Sequence, residues 1–126
     1  MKVAHWIKVL FLVAGIYDGL LGAAFLFFGM AIFHRTGVTP PNHIGYIQFP
    51  ALLLITFGIM FLRIAQDPLK NRELMWYGVA LKASYTGVAF WHHLQGGIPM
   101  LWIPWAWIDL LFLILFLIAW KRTAPA

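Results

Sequence analysis

The chain contains no cysteine. That removes disulfides, thiolate metal sites, iron–sulfur clusters and covalently attached haem from consideration. Charge is scarce as well. Only 10% of residues are charged and 63% are hydrophobic, against roughly 25% charged in a soluble domain. Such a chain has too little polar surface to coat a soluble globule, so the expected solvent and first partner is a lipid bilayer. Its net charge of +5 does not point to nucleic acid, because the basic residues flank apolar runs instead of forming a patch. No internal repeat, phosphate loop, nucleophile elbow or zinc-protease helix occurs, and nothing marks the chain as an enzyme. At 126 residues it is read as a single domain, 1–126.

What is present is a succession of four long apolar segments, and they predict an all-α membrane four-helix bundle of up-down topology. The spans are placed at about residues 9–33, 46–66, 71–94 and 98–120. A basic start with Lys2 and Lys8 before an apolar run is also the pattern of a signal peptide. Here the run continues to about Phe33, too long for a cleaved segment, so a retained helix is expected. Residues 34–45, HRTGVTPPNHIG, form the main loop, where Pro40 and Pro41 stop the first helix. Pro50 is expected in the first turn of the second, where no helical N–H is lost. Gly15, Asp18, Gly22 and Gly29 fall on one side of the first span and predict close approach of a neighbouring helix. Seven Lys and Arg lie near the N-terminus, the second connection and the C-terminus, against Arg35 alone at the opposite end. Both termini are therefore expected to be cytoplasmic.

The chemistry is concentrated in 71–94, NRELMWYGVALKASYTGVAFWHHL, which carries Lys82 at its centre. Asp18 and Asp109 fall near the middle of the first and fourth spans. A single Asp or Lys at a helix centre costs about 2.5–3.5 kcal/mol, so the three are expected to turn inward and pair, with Tyr85 or Thr86 completing the shell. Two carboxylates and one ammonium leave an excess negative charge, which calls for a shared proton or a bound cation. The plainer reading is a structural ion pair that fixes helix register. Asp109→Asn is expected to cost more than Lys82→Met if Asp18 cannot compensate.

Two further groups stand out. His34, His43, His92 and His93 all emerge at one end of the bundle, and four imidazoles are candidates for a metal or for axial ligation of haem. No carboxylate accompanies them, and adjacent histidines on a helix point about 100° apart, so no metal or other cofactor is predicted. Interfacial histidines are the plainer reading. The tryptophans read mainly as a lipid belt, Trp6, Trp76 and Trp120 at one interface and Trp91 at the other. Trp102, Trp105 and Trp107 crowd one half of the fourth span. With Trp91, Trp102 and Trp105 are the candidates for a cleft that takes a lipid, a quinone or a partner helix.

With YGVALKASYTGVAFW, then GIP, then WAWIDLLFLILF, the chain resembles the small four-span DoxX-like membrane proteins of bacteria. The resemblance implies a four-helix membrane bundle in the bacterial inner membrane, in some cases associated with quinol-linked or other redox complexes. It implies no catalytic motif. The reading is therefore a membrane binding or accessory protein, alone, as a homo-oligomer or within a larger complex. A proton- or ion-conducting oligomer or carrier on the same Asp–Lys–Asp network is the first alternative, and a haem or metal redox subunit the second.

Overall fold

A computed structural model describes residues 2–125. Four helices follow one another: α1 (His5–Thr36), α2 (Gly45–Gln66), α3 (Met75–Gln95) and α4 (Ile103–Arg122). Short 3₁₀ turns, Arg72–Leu74 and Met100–Trp102, lead into α3 and α4. Among the described residues there is no strand. Each helix runs antiparallel to the next. Lys82 meets Asp109 while Tyr85 meets Trp102, and Gly15 meets Gly58 while Gly29 meets Ile47. Three helical segments are long and apolar enough to cross a membrane: α1, α2 and the run Met100–Arg122. The third helix has the length, at 21 residues, but Lys82, His92 and His93 make it less apolar than the other three.

The most extensive contact in the chain is between α1 and α2, and glycine is the reason. A Cβ on Gly58 would lie 2.8 Å from the carbonyl oxygen of Gly15 and 2.9 Å from the amide nitrogen of Gly19. One on Gly22 would lie 2.6 Å from the carbonyl oxygen of Ala51. The two backbones touch because nothing stands between them. The α3–α4 hairpin is the second close pair, and the two hairpins meet each other along much shorter stretches.

Local chemistry sets the helix ends. Gly37 adopts left-handed backbone angles (φ 71°, ψ 17°) and closes α1. Its N–H donates to His34 and that of Val38 to Phe33, the paired bonds of a Schellman motif. At 32 residues α1 would span roughly 48 Å if straight, but it is interrupted at Phe28 (φ −126°, ψ 17°). Pro50 departs from expectation. The second helix begins at Gly45, so Pro50 sits in its second turn and leaves the carbonyl of Tyr46 without the usual i+4 donor.

At the end of the bundle that holds both termini, the core is solid. Phe11, Phe61 and Phe116 are fully buried. The rings of Phe11 and Phe116 stack at 4.8 Å and those of Phe61 and Phe116 lie at 5.2 Å. Arg72 locks this end. Its guanidinium lies 3.3 Å above the Trp120 ring and donates to the Trp120 carbonyl at 2.7 Å and the Thr123 hydroxyl at 3.1 Å. The opposite end, made by residues 37–44 and the turn into α4, is not filled in this way.

Candidate functional site

The three mid-helix charges meet. The Lys82 ammonium donates to Asp18 Oδ1 at 2.8 Å and Oδ2 at 3.1 Å, and to Asp109 Oδ1 at 3.0 Å. Lys82 is completely buried, and Asp18 and Asp109 are 1% and 7% exposed. Because both Asp18 oxygens belong to one carboxylate, a single N–H of the ammonium is shared between them, and a second N–H serves Asp109. The rings of Phe112, Tyr17 and Phe61 surround it at 5.1, 5.4 and 5.7 Å, close enough for cation–π attraction. The two carboxylates are not equivalent. Asp18 gives both oxygens to Lys82, whereas no protein donor reaches Asp109 Oδ2 among the described residues. The pair with Asp18 is thus self-contained, and Asp109 is the extra charge. Asp18 is placed to compensate for loss of Asp109, which removes the condition on which Asp109→Asn would be the more damaging change.

Neither Tyr85 nor Thr86 completes this shell. The Tyr85 hydroxyl donates at 2.7 Å to the carbonyl of Trp102, where it fixes the start of α4. Thr86 is 7% exposed and its hydroxyl is without a partner among the described residues.

Directly beside the ion pair, in the half away from the termini, lies a cavity of about 640 Å³. Asp18 and Asp109 form part of its floor. Its walls come from all four helices and from Val38, Thr39 and Pro41 of the loop, and are almost wholly apolar. Phe25 stacks on Trp102 at 5.9 Å and Phe33 meets the same ring edge-on at 5.9 Å, so Trp102 is held by its ring on one side and its carbonyl on the other. Trp105 packs near Tyr17 at 6.2 Å. Both of these residues line the cavity, and Tyr17 Oη and Trp105 Nε1 are buried with no hydrogen-bond partner among the described residues.

The cleft expected from the tryptophans is therefore corrected in one member. Trp102 and Trp105 line the cavity, but Trp91 is 63% exposed and faces outward from α3. Trp107 is likewise turned outward, packed edge-on against Phe90. Sequence reasoning also missed the contribution of the first two helices. Tyr17, Leu21 and Phe25 repeat every four residues beside Asp18, and Ala51, Leu54 and Phe57 repeat every three along α2. Those spacings were the available signal. The histidines do not converge. His34, His92 and His93 are exposed at helix ends, and His43 Nδ1 accepts the N–H of Gly45. Among the described residues no group of three or more His, Cys, Asp or Glu is gathered as a metal would require.

No family model, curated protein or solved structure matches this chain.

Proposed function

We propose that the protein is an integral membrane binding protein, a four-span bundle that holds an apolar ligand of lipid or quinone size in the cavity above Lys82. The observation that carries this reading is the joining of two features expected separately. An apolar cavity, within the roughly 300–1,000 Å³ of small-molecule sites, ends on a buried charge network and does not end on more hydrocarbon. A ligand with an apolar body and a polar head matches such a lining.

Membrane residence is supported by the outer surface. Large apolar side chains stand exposed on every helix, Leu20, Phe49, Val88 and Leu111 among them, the inverse of a soluble bundle. In this reading α3 crosses the membrane as well, and its charge is tolerated because Lys82 is enclosed by its neighbours. The distribution of Lys and Arg supports termini in the cytoplasm and, with them, a cavity in the outer half. The DoxX-like resemblance agrees with a small bacterial inner-membrane protein and extends to a quinol-linked or other redox complex as the setting. Conduction through one protomer is opposed by Phe11, Phe61 and Phe116, which close the bundle on the cytoplasmic side of the ion pair. Haem or metal binding has only the scattered histidines to draw on.

The test is extraction in a mild detergent without added lipid, followed by mass spectrometry of small molecules that co-purify. A stoichiometric amphiphile is expected with the native protein. Leu21→Trp, which places an indole in the cavity one turn above Asp18, should lose it while the melting temperature holds. An unaltered complement of bound molecules in Leu21→Trp would exclude the cavity as the site.

A further inference from the structure

We infer that the head of the ligand is cationic and donates hydrogen bonds, so that the cavity selects an amphiphilic organic ammonium. The inference rests on the cavity being a binding site and adds the chemistry of what it selects. Hydrogen-bonding capacity at the floor is lopsided. The one strong donor, the Lys82 ammonium, is turned to the aspartates and is not part of the cavity lining. The strong acceptor is not engaged. Asp109 lines the cavity, is nine-tenths buried along its side chain, and has one oxygen that no protein group reaches. A carboxylate oxygen held in that way is costly unless a donor is supplied.

The charge count points the same way. Asp18 on α1, Lys82 on α3 and Asp109 on α4 are the acidic and basic groups that meet here, and α2 brings no charged side chain to the lining. The neighbouring titratable groups are the phenols of Tyr17 and Tyr85, and the second is already committed to Trp102. Two carboxylates against one ammonium leave one negative charge facing an apolar space. A single positive head cancels it, whereas an anionic head would add to it in a medium of low dielectric. The aromatic walls at Tyr17, Phe25, Trp102 and Trp105 favour an ammonium in addition, since ring faces attract cations. A neutral carbonyl head finds only the indole N–H of Trp105 and the phenol of Tyr17.

The experiment compares three probes that share one chain and differ only in the head: dodecylammonium, dodecanol and dodecanoate. Each is titrated into the full-length protein in phosphatidylcholine nanodiscs, with empty nanodiscs measuring plain partition into lipid. Dodecylammonium is expected to bind at least about tenfold more tightly than dodecanol, and dodecanoate not above the empty discs. Asp109→Asn should abolish the preference for the ammonium and leave dodecanol binding in place, and Leu21→Trp should remove both. The comparison of probes on the native protein stands even if Asp109→Asn fails to fold. Equal binding of ammonium and alcohol, or preference for dodecanoate, would overturn the cationic head while leaving the cavity a binding site. Ammonium binding indifferent to Leu21→Trp would place that site elsewhere and overturn the inference. No binding of any probe above the empty discs would overturn the binding function itself.

Discussion

The two halves of this bundle are built from the same apolar alphabet and end in opposite states. In the half that holds the termini, Phe11, Phe61 and Phe116 interlock until no space remains, and Arg72 ties the connection before α3 to the end of α4. In the other half, phenylalanines and tryptophans stand back from one another around about 640 Å³. The difference lies in what each aromatic has to lean on. Phe61 and Phe116 close over Gly78, where a Cβ would come within 2.6 Å of the Phe61 ring, so the missing side chain draws the helices together. Trp102, fixed by Tyr85, Phe25 and Phe33, is held out at the wall and cannot collapse inward. Composition does not decide whether an aromatic cluster becomes a core or a pocket; its anchoring does.

Substitutions on either side of this boundary should separate the halves. The largest effect is expected at the boundary. Asp18→Asn leaves Lys82 paired with Asp109 through one oxygen only and should cost about 3 kcal/mol, the upper end for a hydrogen bond to a charged group. Asp109→Asn should cost less, about 1–3 kcal/mol, because the neutral Lys82–Asp18 pair survives. Thermal unfolding in detergent reads both. An equal or larger loss in Asp109→Asn would show that the two aspartates share the ammonium evenly.

Next come the aromatics themselves. In lipid the transfer term is small and mainly the void is felt, so Phe116→Ala is expected to cost about 2–3 kcal/mol. Phe57→Ala, at the wall of an existing cavity, should cost under about 1 kcal/mol. Similar losses would mean that the open half is packed as tightly as the closed one. Gly58→Ala should cost about 1–3 kcal/mol, since the methyl meets backbone atoms of Gly15 and Gly19 that cannot rotate away. The smallest change in stability is expected for Leu21→Trp, within about 0.5 kcal/mol, although it fills the space in which binding is proposed.

How much of this was legible in the sequence follows from the strength of each constraint. Four helices are readable because Pro40, Pro41, Gly37 and the Gly96–Gly97 turn punctuate the apolar runs. The glycine side of α1 is readable from spacing alone, and Asp18, Lys82 and Asp109 could be expected to meet because an unpaired charge within an apolar helix is too costly to leave. The facing of the remaining residues was not readable. The first and fourth helices are apolar all round, and a helix of that kind carries no stripe to say which side is in. Trp91 and Trp105 look alike in sequence, yet one points outward and the other into the cavity. The role of Tyr85 was misplaced for a related reason. A hydroxyl one turn from Lys82 was expected to serve the ion pair, but the carbonyl of Trp102, at the start of α4, was the nearer acceptor.

The interruption of α1 at Phe28 has a mechanical meaning for the cavity. Below it, the backbone contacts at Gly15 and Gly22 bind α1 to α2 along its length. Beyond it, Gly29–Thr36 forms a separate lever that touches α2 at Ile47 and reaches the cavity through Phe33. Asp18 lies nearly three turns before the joint, so the direction of the segment beyond Phe28 is set separately from the position of the aspartate. The mouth of the cavity and its charged floor are thus carried by the same helix but not by the same straight piece of it.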